Sequence, residues 1–492
     1  MKLISTVIFL TFAIGLNHSC SSSKRPLTVV DDNLYLDGLF EYQEGEKEKA
    51  FELFKKACQD GVLAACSALG NVIDDEKLLR VSVLQGATDE KSTQINFLTN
   101  KENELHKDLN ILIWDGDKLL PVDSFVYYQV QRSHSEFVIN KLEIPNLSVG
   151  KTYRLEILGT KSTLLDVRFF NTINAKGNSL KFAVASCMSD EYPEAQEIMW
   201  NGVLKSNPEA IFLIGDNVYA DRVKGEAIRE GVGEATLWER YADHRNLLSV
   251  FFSSKLIPIY AVWDDHDYGI NNGDRYFVHK AEAHFVFDSF YSQKSNTLLK
   301  EAHGVGSHLK IRGQNFYFLD NRSFRDPAED KSGGHFGDEQ EKWLFSSLKK
   351  NRETSWLISG DQFFGAYHRF ESYEGQHGKS FDNFLSNIKK TKRRVFFLSG
   401  DRHSSELMKI EKEKLGFETY ELTTSPIHSK VYPGGFKKFS NPRQIVGVDD
   451  QVNYAIVTSQ TLPKDWKVSV KLYGKTGKNQ TVLFKKDLAI KK

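Results

Sequence analysis

Four apolar runs in this chain end on Asp or His. Ile211-Phe212-Leu213-Ile214 leads into Gly215-Asp216, and Ile259-Tyr260-Ala261-Val262-Trp263 into Asp264-Asp265-His266-Asp267. Trp356-Leu357-Ile358 leads to Gly360-Asp361, and Val395-Phe396-Phe397-Leu398 to Gly400-Asp401-Arg402-His403. Short β-branched and aromatic runs bounded by Gly predict buried strands. Ligands in α/β folds bind at the carboxyl ends of strands. The pattern therefore predicts one rim rich in Asp and His, the donors that hard and borderline metal ions take. Phe182–Ala185 is a further strand and delivers Ser186-Cys187. Helical spacing around 194–206, 236–254 and 339–350 separates these strands, and the chain is strand-rich again from Tyr420. Alternation first and strands late predict an α/β sandwich over 178–492 whose second sheet the tail completes.

The preceding segment, 79–172, carries about seven short strands with turn signals at Asp115-Gly116 and Val149-Gly150. It predicts an all-β sandwich of immunoglobulin or fibronectin type with no chemistry of its own. Within 24–75, a helix pair is predicted over 33–75: Ala50, Phe51, Leu53, Phe54 and Ala57 recur at helical spacing after a turn at Glu44-Gly45-Glu46. At the N-terminus, Lys2 and the apolar run Leu3–Leu16 predict an export signal over 1–20, too short to span a membrane.

Composition changes little in this picture. The chain has 492 residues and a formal net charge of zero. It is long enough for two to four domains, and no basic field suggests a nucleic-acid surface. The run Lys389–Arg394 reads as a solvated loop. Neither a P-loop nor a Gly-x-Ser-x-Gly elbow is present. Two of the strand-end groups stand out chemically. Three carboxylates in Asp264–Asp267 repel one another unless a cation sits among them. Tyr219 follows Asp216 by three residues, so both can reach one ion. Asp361 alone reads equally as a turn aspartate.

Three resemblances sharpen these expectations. Asn17-His18-Ser19-Cys20 resembles a bacterial lipoprotein signal with Cys20 as the lipidated residue; the alternative is a cleaved signal that leaves no anchor. Residues 50–61 resemble the Sel-like, tetratricopeptide-related repeat, and that resemblance implies a Cys58–Cys66 disulfide rather than two buried thiols. A single repeat cannot bury its own face, so it also implies a protein partner, a second copy, or packing on the rest of the chain.

The landmarks Ala185-Ser186-Cys187, Gly215-Asp216-Asn217-Val218-Tyr219, Trp263–Gly269, Leu319–Arg325, Gly360-Asp361-Gln362, Ser399–His403 and Glu421–Pro426 together resemble the PhoD-type alkaline phosphatases of the calcineurin-like metallophosphoesterases. The resemblance implies a four-layer α/β/β/α sandwich. It also implies an exported enzyme of the bacterial cell envelope that hydrolyses phosphomonoesters or phosphodiesters. Cys187, Asp216 and Tyr219 would hold a ferric ion. Asp216 would bridge to a second position, occupied by calcium and held by Asp265 with Asp361, Asp401 and His403; zinc and manganese are alternatives there. His266 would be the general acid. Asn217, Arg322 and Arg325 would meet substrate, with a structural ion pair as the other reading of either arginine. The competing function is an inactive scaffold lipoprotein that works through its helical repeat.

Overall fold

Helices α1 (Asn33–Gln43) and α2 (Lys47–Gln59) belong to the first of two units into which the chain divides, 1–70 and 71–492. The computed structural model describes residues 33–43, 46–59, 65, 81–101, 109–159, 164–174, 176–223, 226–293 and 304–491. Ala50, Phe54 and Ala57 are buried at i, i+4, i+7 spacing on α2, and Phe54 packs on Tyr35 of α1 with ring centres 5.7 Å apart. Cys58 is half-buried on α2. Cys20, Cys66 and the segment 1–20 lie outside the described residues. Among the described residues no helix is long and apolar enough to cross a membrane.

In the second unit, eight strands form two four-stranded sheets: β1 (Val83–Thr88), β2 (Thr93–Asn100), β3 (Asn110–Asp115), β4 (Lys118–Leu119), β5 (Val126–Gln131), β6 (Phe137–Ile144), β7 (Thr152–Leu158) and β8 (Leu164–Asn171). Their orders are β1-β2-β6-β5 and β4-β3-β7-β8, around a core that includes Ile95, Phe97, Ile113, Leu155 and Ile157. The extra strand, β4, is two residues long.

The α/β part follows. Its elements are β9 (Ser179–Ala185), α3 (Pro193–Lys205), β10 (Ala210–Ile214), the small hairpin β11 (Arg222–Val223) and β12 (Glu226–Ala227), α4 (Glu234–Leu247), β13 (Ile259–Val262), the single turn α5 (Asp265–Tyr268) and α6 (Lys280–Tyr291). There follow β14 (Ser307–Ile311), β15 (Gln314–Phe318), α7 (Asp338–Lys350), β16 (Thr354–Ile358), α8 (Tyr373–Gln376), α9 (Gly378–Thr391), β17 (Val395–Ser399), β18 (Ser405–Ile410) and β19 (Thr419–Thr423). β20 (Gln444–Val448), β21 (Asn453–Thr461), β22 (Asp465–Thr476) and β23 (Asn479–Lys491) close the chain.

One sheet has the order β13-β10-β9-β21-β22-β23 and the other β14-β15-β16-β17-β19-β18-β20. The tail thus serves both sheets: β19 and β20 complete the second, while β21, antiparallel to β9, adds β21, β22 and β23 to the first. β9, β10 and β13 are mutually parallel, as are β15, β16, β17 and β19. Strands buried on both faces read as unbroken apolar runs, which is why these were visible in the sequence. Alternation sorts their side chains. Trp356, Phe396 and Phe316 point between the sheets, where Trp356 meets Phe182 edge-on at 5.2 Å. Leu357, Val395 and Phe397 point the other way, onto Leu344 and Leu348 of α7 and Phe384 and Ile388 of α9. α3 lies against β21–β23 on the first sheet. The result is helix, sheet, sheet, helix.

Candidate active site

The parallel strands of both sheets deliver their carboxyl ends to one place. Three glycines let the sheets meet there. A Cβ on Gly215 would lie 2.9 Å from the Gly360 Cα and 2.7 Å from the Asp264 Cβ, and one on Gly400 would lie 2.6 Å from the Ile214 carbonyl. The Gly-Asp repeats of the sequence therefore mark close approach of backbones. Beyond the glycines, Cys187, Asp216, Asp401 and His403 all adopt left-handed backbone, with φ of 55°, 50°, 63° and 51°. Non-glycine residues rarely do so, and such strain concentrates at functional sites.

Two sets of donor atoms lie within 4.8 Å of one another, Cys187 with Asp216 and His403, and Asp216 with Asp265 and His266. Asp216 belongs to both. The Cys187 thiol donates to Asp216 Oδ2 at 3.3 Å and accepts from the Ser425 hydroxyl at 3.0 Å. The Tyr219 hydroxyl is 3.1 Å from His403 Nε2 and accepts from Ser429 at 3.2 Å. His403 thus stands on the Cys187–Tyr219 side, whereas the family pattern assigns it to the second position.

His266 Nδ1 lies 2.7 Å from Asp221 Oδ1, and its ring packs on Tyr219 with centres 4.3 Å apart, leaving Nε2 as the uncommitted nitrogen. Burial works against its protonation, yet Asp265, Asp216 and Asp221 outweigh it and hold its pKa well above the ordinary histidine value. Asp221 escaped the sequence reading, and Ser425 entered it only within the landmark Glu421–Pro426, with no role. Asp221 sits in a loop five residues past Asp216, with no strand-end pattern to mark it.

The run Asp264–Asp267 is resolved differently from expectation. No single cation needs to sit among three carboxylates, because the fold separates them. Asp264 accepts from Arg322 Nε at 2.6 Å and Asn321 at 2.7 Å. Asp267 turns back to accept from the Asp264 and Val218 N–H groups, closing a capping box on α5. Asp265 alone faces the cavity.

Four other expectations find their residues elsewhere. Asp361 lies beneath the rim, paired with Arg325 at 3.3 Å and His335 at 3.0 Å, and it also accepts from Asn321 and Ser359. Asn217 is fully buried with its amide donating to the Val262 carbonyl. Arg322 is fully buried between Asp264 and Glu371, and Arg325 between Asp361 and Glu371. The two arginines are the structural ion pairs that the second reading allowed, not groups open to substrate. Asp401 does line the cavity, and burial raises its carboxyl to about 7.

The donor set fits a cation. Asp216 Oδ1 is buried without a hydrogen-bond partner among the described residues. Burial and the neighbouring thiol hold the Asp216 carboxyl well above its usual range, and burial pushes the Cys187 thiol up to about 12. Groups that resist ionisation together, around an oxygen with nothing to bind, are what a bound cation relieves. Tyr219, Asp265, His266, Asp401 and His403 open onto a cavity of about 1100 Å³.

The family model described as PhoD-like phosphatase matches residues 308–462. The solved structure described as "Structure of PhoD" superposes with a TM-score of 0.63 at 17% identity, covering 82% of this chain and 91% of that one. A second, Vps29 from Chaetomium thermophilum, superposes with a TM-score of 0.23 at 9% identity, covering 63% of this chain and 97% of that one. No curated protein matches the sequence. The matched segment, 308–462, contains Asp361, Asp401, Arg402 and His403. Cys187, Asp216, Tyr219, Asp265 and His266 precede it on the sheet it faces.

Proposed function

We propose that this protein is a metal-dependent phosphoester hydrolase, exported to the bacterial cell envelope, that acts on phosphomonoesters or phosphodiesters. One observation carries the reading: Asp216 stands in two donor sets at once, and Asp265, His266 and His403 of those sets line a large cavity. Cys187, Asp216 and Tyr219, with His403 beside them, suit a trivalent ion such as ferric iron. Asp216, Asp265 and Asp401 suit a hard divalent ion such as calcium, with zinc or manganese as substitutes. When bound, such metals supply an activated water and offset charge on the phosphoryl oxygens.

The chain's own residues do the rest. Asp221 holds the His266 ring with Nε2 outward, and although burial opposes it, the neighbouring carboxylates favour the protonated ring. A proton at Nε2 is then available to the departing alkoxide. Ser425 and Ser429 fix the orientations of the Cys187 thiol and the Tyr219 phenol. Export and lipidation at Cys20 rest on the signal-like segment 1–20. Membrane fractionation of a Cys20→Ala variant, moved to the soluble fraction, tests them.

The decisive experiment replaces Asp216 with Ala. Hydrolysis of p-nitrophenyl phosphate and bis-p-nitrophenyl phosphate should fall by about 10³-fold or more. Iron and calcium measured by elemental analysis should fall with it. Retained turnover refutes the assignment, and the ratio of the two substrates separates monoesterase from diesterase.

A further inference from the structure

We propose that Arg402 grips the phosphate of the substrate and that Phe370 is the positioning residue that holds it ready. The proposal rests on the phosphoester-hydrolase reading above and names a substrate-binding group for it. The need for such a group is plain. Arg322 and Arg325 have no free charge to offer, because buried carboxylates engage both. Arg402 lines the cavity between Asp401 and His403, on the turn that carries both. Its neighbours on either side are left-handed, and its own N–H closes onto the Gly400 carbonyl at 2.8 Å, so the turn that presents it is fixed.

The Arg402 guanidinium makes no ion pair among the described residues, and its Nε is buried with no hydrogen-bond partner. What it does have is Phe370, whose ring centre lies 4.6 Å from the guanidinium carbon. Phe439 braces that ring edge-on at 5.4 Å. Phe370 is 44% exposed and forms part of the cavity wall. Contact with a ring face uses none of the guanidinium's five N–H donors. A planar fork with its donors unspent matches two oxygens of a phosphate. Among the cavity's other cations, Arg222 faces Glu191 at 3.9 Å, Lys430 lies over Tyr432 at 5.2 Å, Lys438 lies over Phe439 at 5.5 Å, and the exposed Arg369 lies farther from the Phe370 ring than Arg402 does, at 5.5 Å.

The test uses the full, metal-loaded protein and inorganic phosphate as the probe, with calorimetry for affinity, p-nitrophenyl phosphate for turnover, and elemental analysis and melting as controls. Arg402→Gln should weaken phosphate binding by about tenfold or more and raise KM in step, with metal content and melting unchanged. Arg402→Lys should recover only part, because an ammonium lacks the fork. Phe370→Ala should raise KM while kcat stays within about twofold, and Phe370→Trp should restore it. Unchanged phosphate affinity in Arg402→Gln overturns the proposal, as does a loss that follows loss of metal. If the parent protein binds phosphate through Arg402 but hydrolyses no ester, the hydrolase reading fails and the anion grip stands. If the parent hydrolyses esters and Arg402→Gln behaves identically, only the grip fails.

Discussion

His266 owes its orientation to a single carboxylate. Asp221 is 1% exposed and accepts from Nδ1 at 2.7 Å, so the ring cannot turn without leaving that carboxylate unpaired. Replacing Asp221 with Ala should lower kcat about 10- to 100-fold while metal content stays constant, measured with the same chromogenic esters. Equal turnover in the variant would remove the proton-donor role from His266. At this scale the sequence was informative wherever a residue stood at a strand end. Cys187, Asp216, Asp265, His266, Asp401 and His403 were singled out that way, and the fold gathers them. It was silent on which carboxylates already had partners. Asp264 and Asp361 look like Asp265 in sequence, and only the position of Arg322, Arg325 and His335 tells them apart.

Among elements, the parallel strands were legible because burial on both faces leaves them no polar positions. The first sandwich strand, β1 at Val83–Thr88, is less legible. Gln85-Gly86 reads as a break. In the structure the glycine is demanded by the chain alongside, since a Cβ there would sit 2.2 Å from the Ser292 carbonyl. Helices give a separate test. Glu341 on α7 accepts from the Tyr373 hydroxyl at 2.9 Å, and burial pushes its carboxyl up to about 7. The folded state therefore holds a proton that the unfolded state releases near pH 4.5, and stability falls as pH rises from there to about 7. Glu341→Gln keeps the acceptor and removes the charge. It should match the parent near pH 4 and exceed it by about 1 kcal/mol above pH 7, after allowance for partial solvent exposure, by urea unfolding at both pH values.

Across the second unit, the β-sandwich is joined to the α/β part by buried polar groups as well as by packing. Arg245 on α4 donates to Ser82 at 3.1 Å, to the Asn96 side-chain oxygen at 2.8 Å and to the Phe290 carbonyl at 2.9 Å. Asn96 in turn donates to Phe290 and Ser292, and Tyr260 donates to the Thr88 carbonyl at 2.6 Å. No carboxylate pairs with Arg245 in these contacts, and burial lowers its pKa to about 9. Arg245→Ala leaves several acceptors unpaired and should cost about 3 kcal/mol in chemical denaturation, with the active-site distances untouched. The sequence marks 79–172 as an all-β region, but nothing in its pattern shows that strand faces meet α4 and α6. Such joins depend on residues nearly two hundred positions apart.

The strand order of the first sheet has a consequence for timing. β9, which delivers Cys187, is hydrogen-bonded on one side to β10 and on the other to β21, a strand that begins at Asn453. The donor atoms run from Cys187 to His403, and Ser425, which braces the thiol, comes later still. Chains emerge from the ribosome N-terminus first, and distant pairings form last. A nascent or truncated chain lacking β21 therefore offers scattered acids and a thiol but no cradle. The cradle that the donor atoms form is therefore complete only once the closing strands have paired.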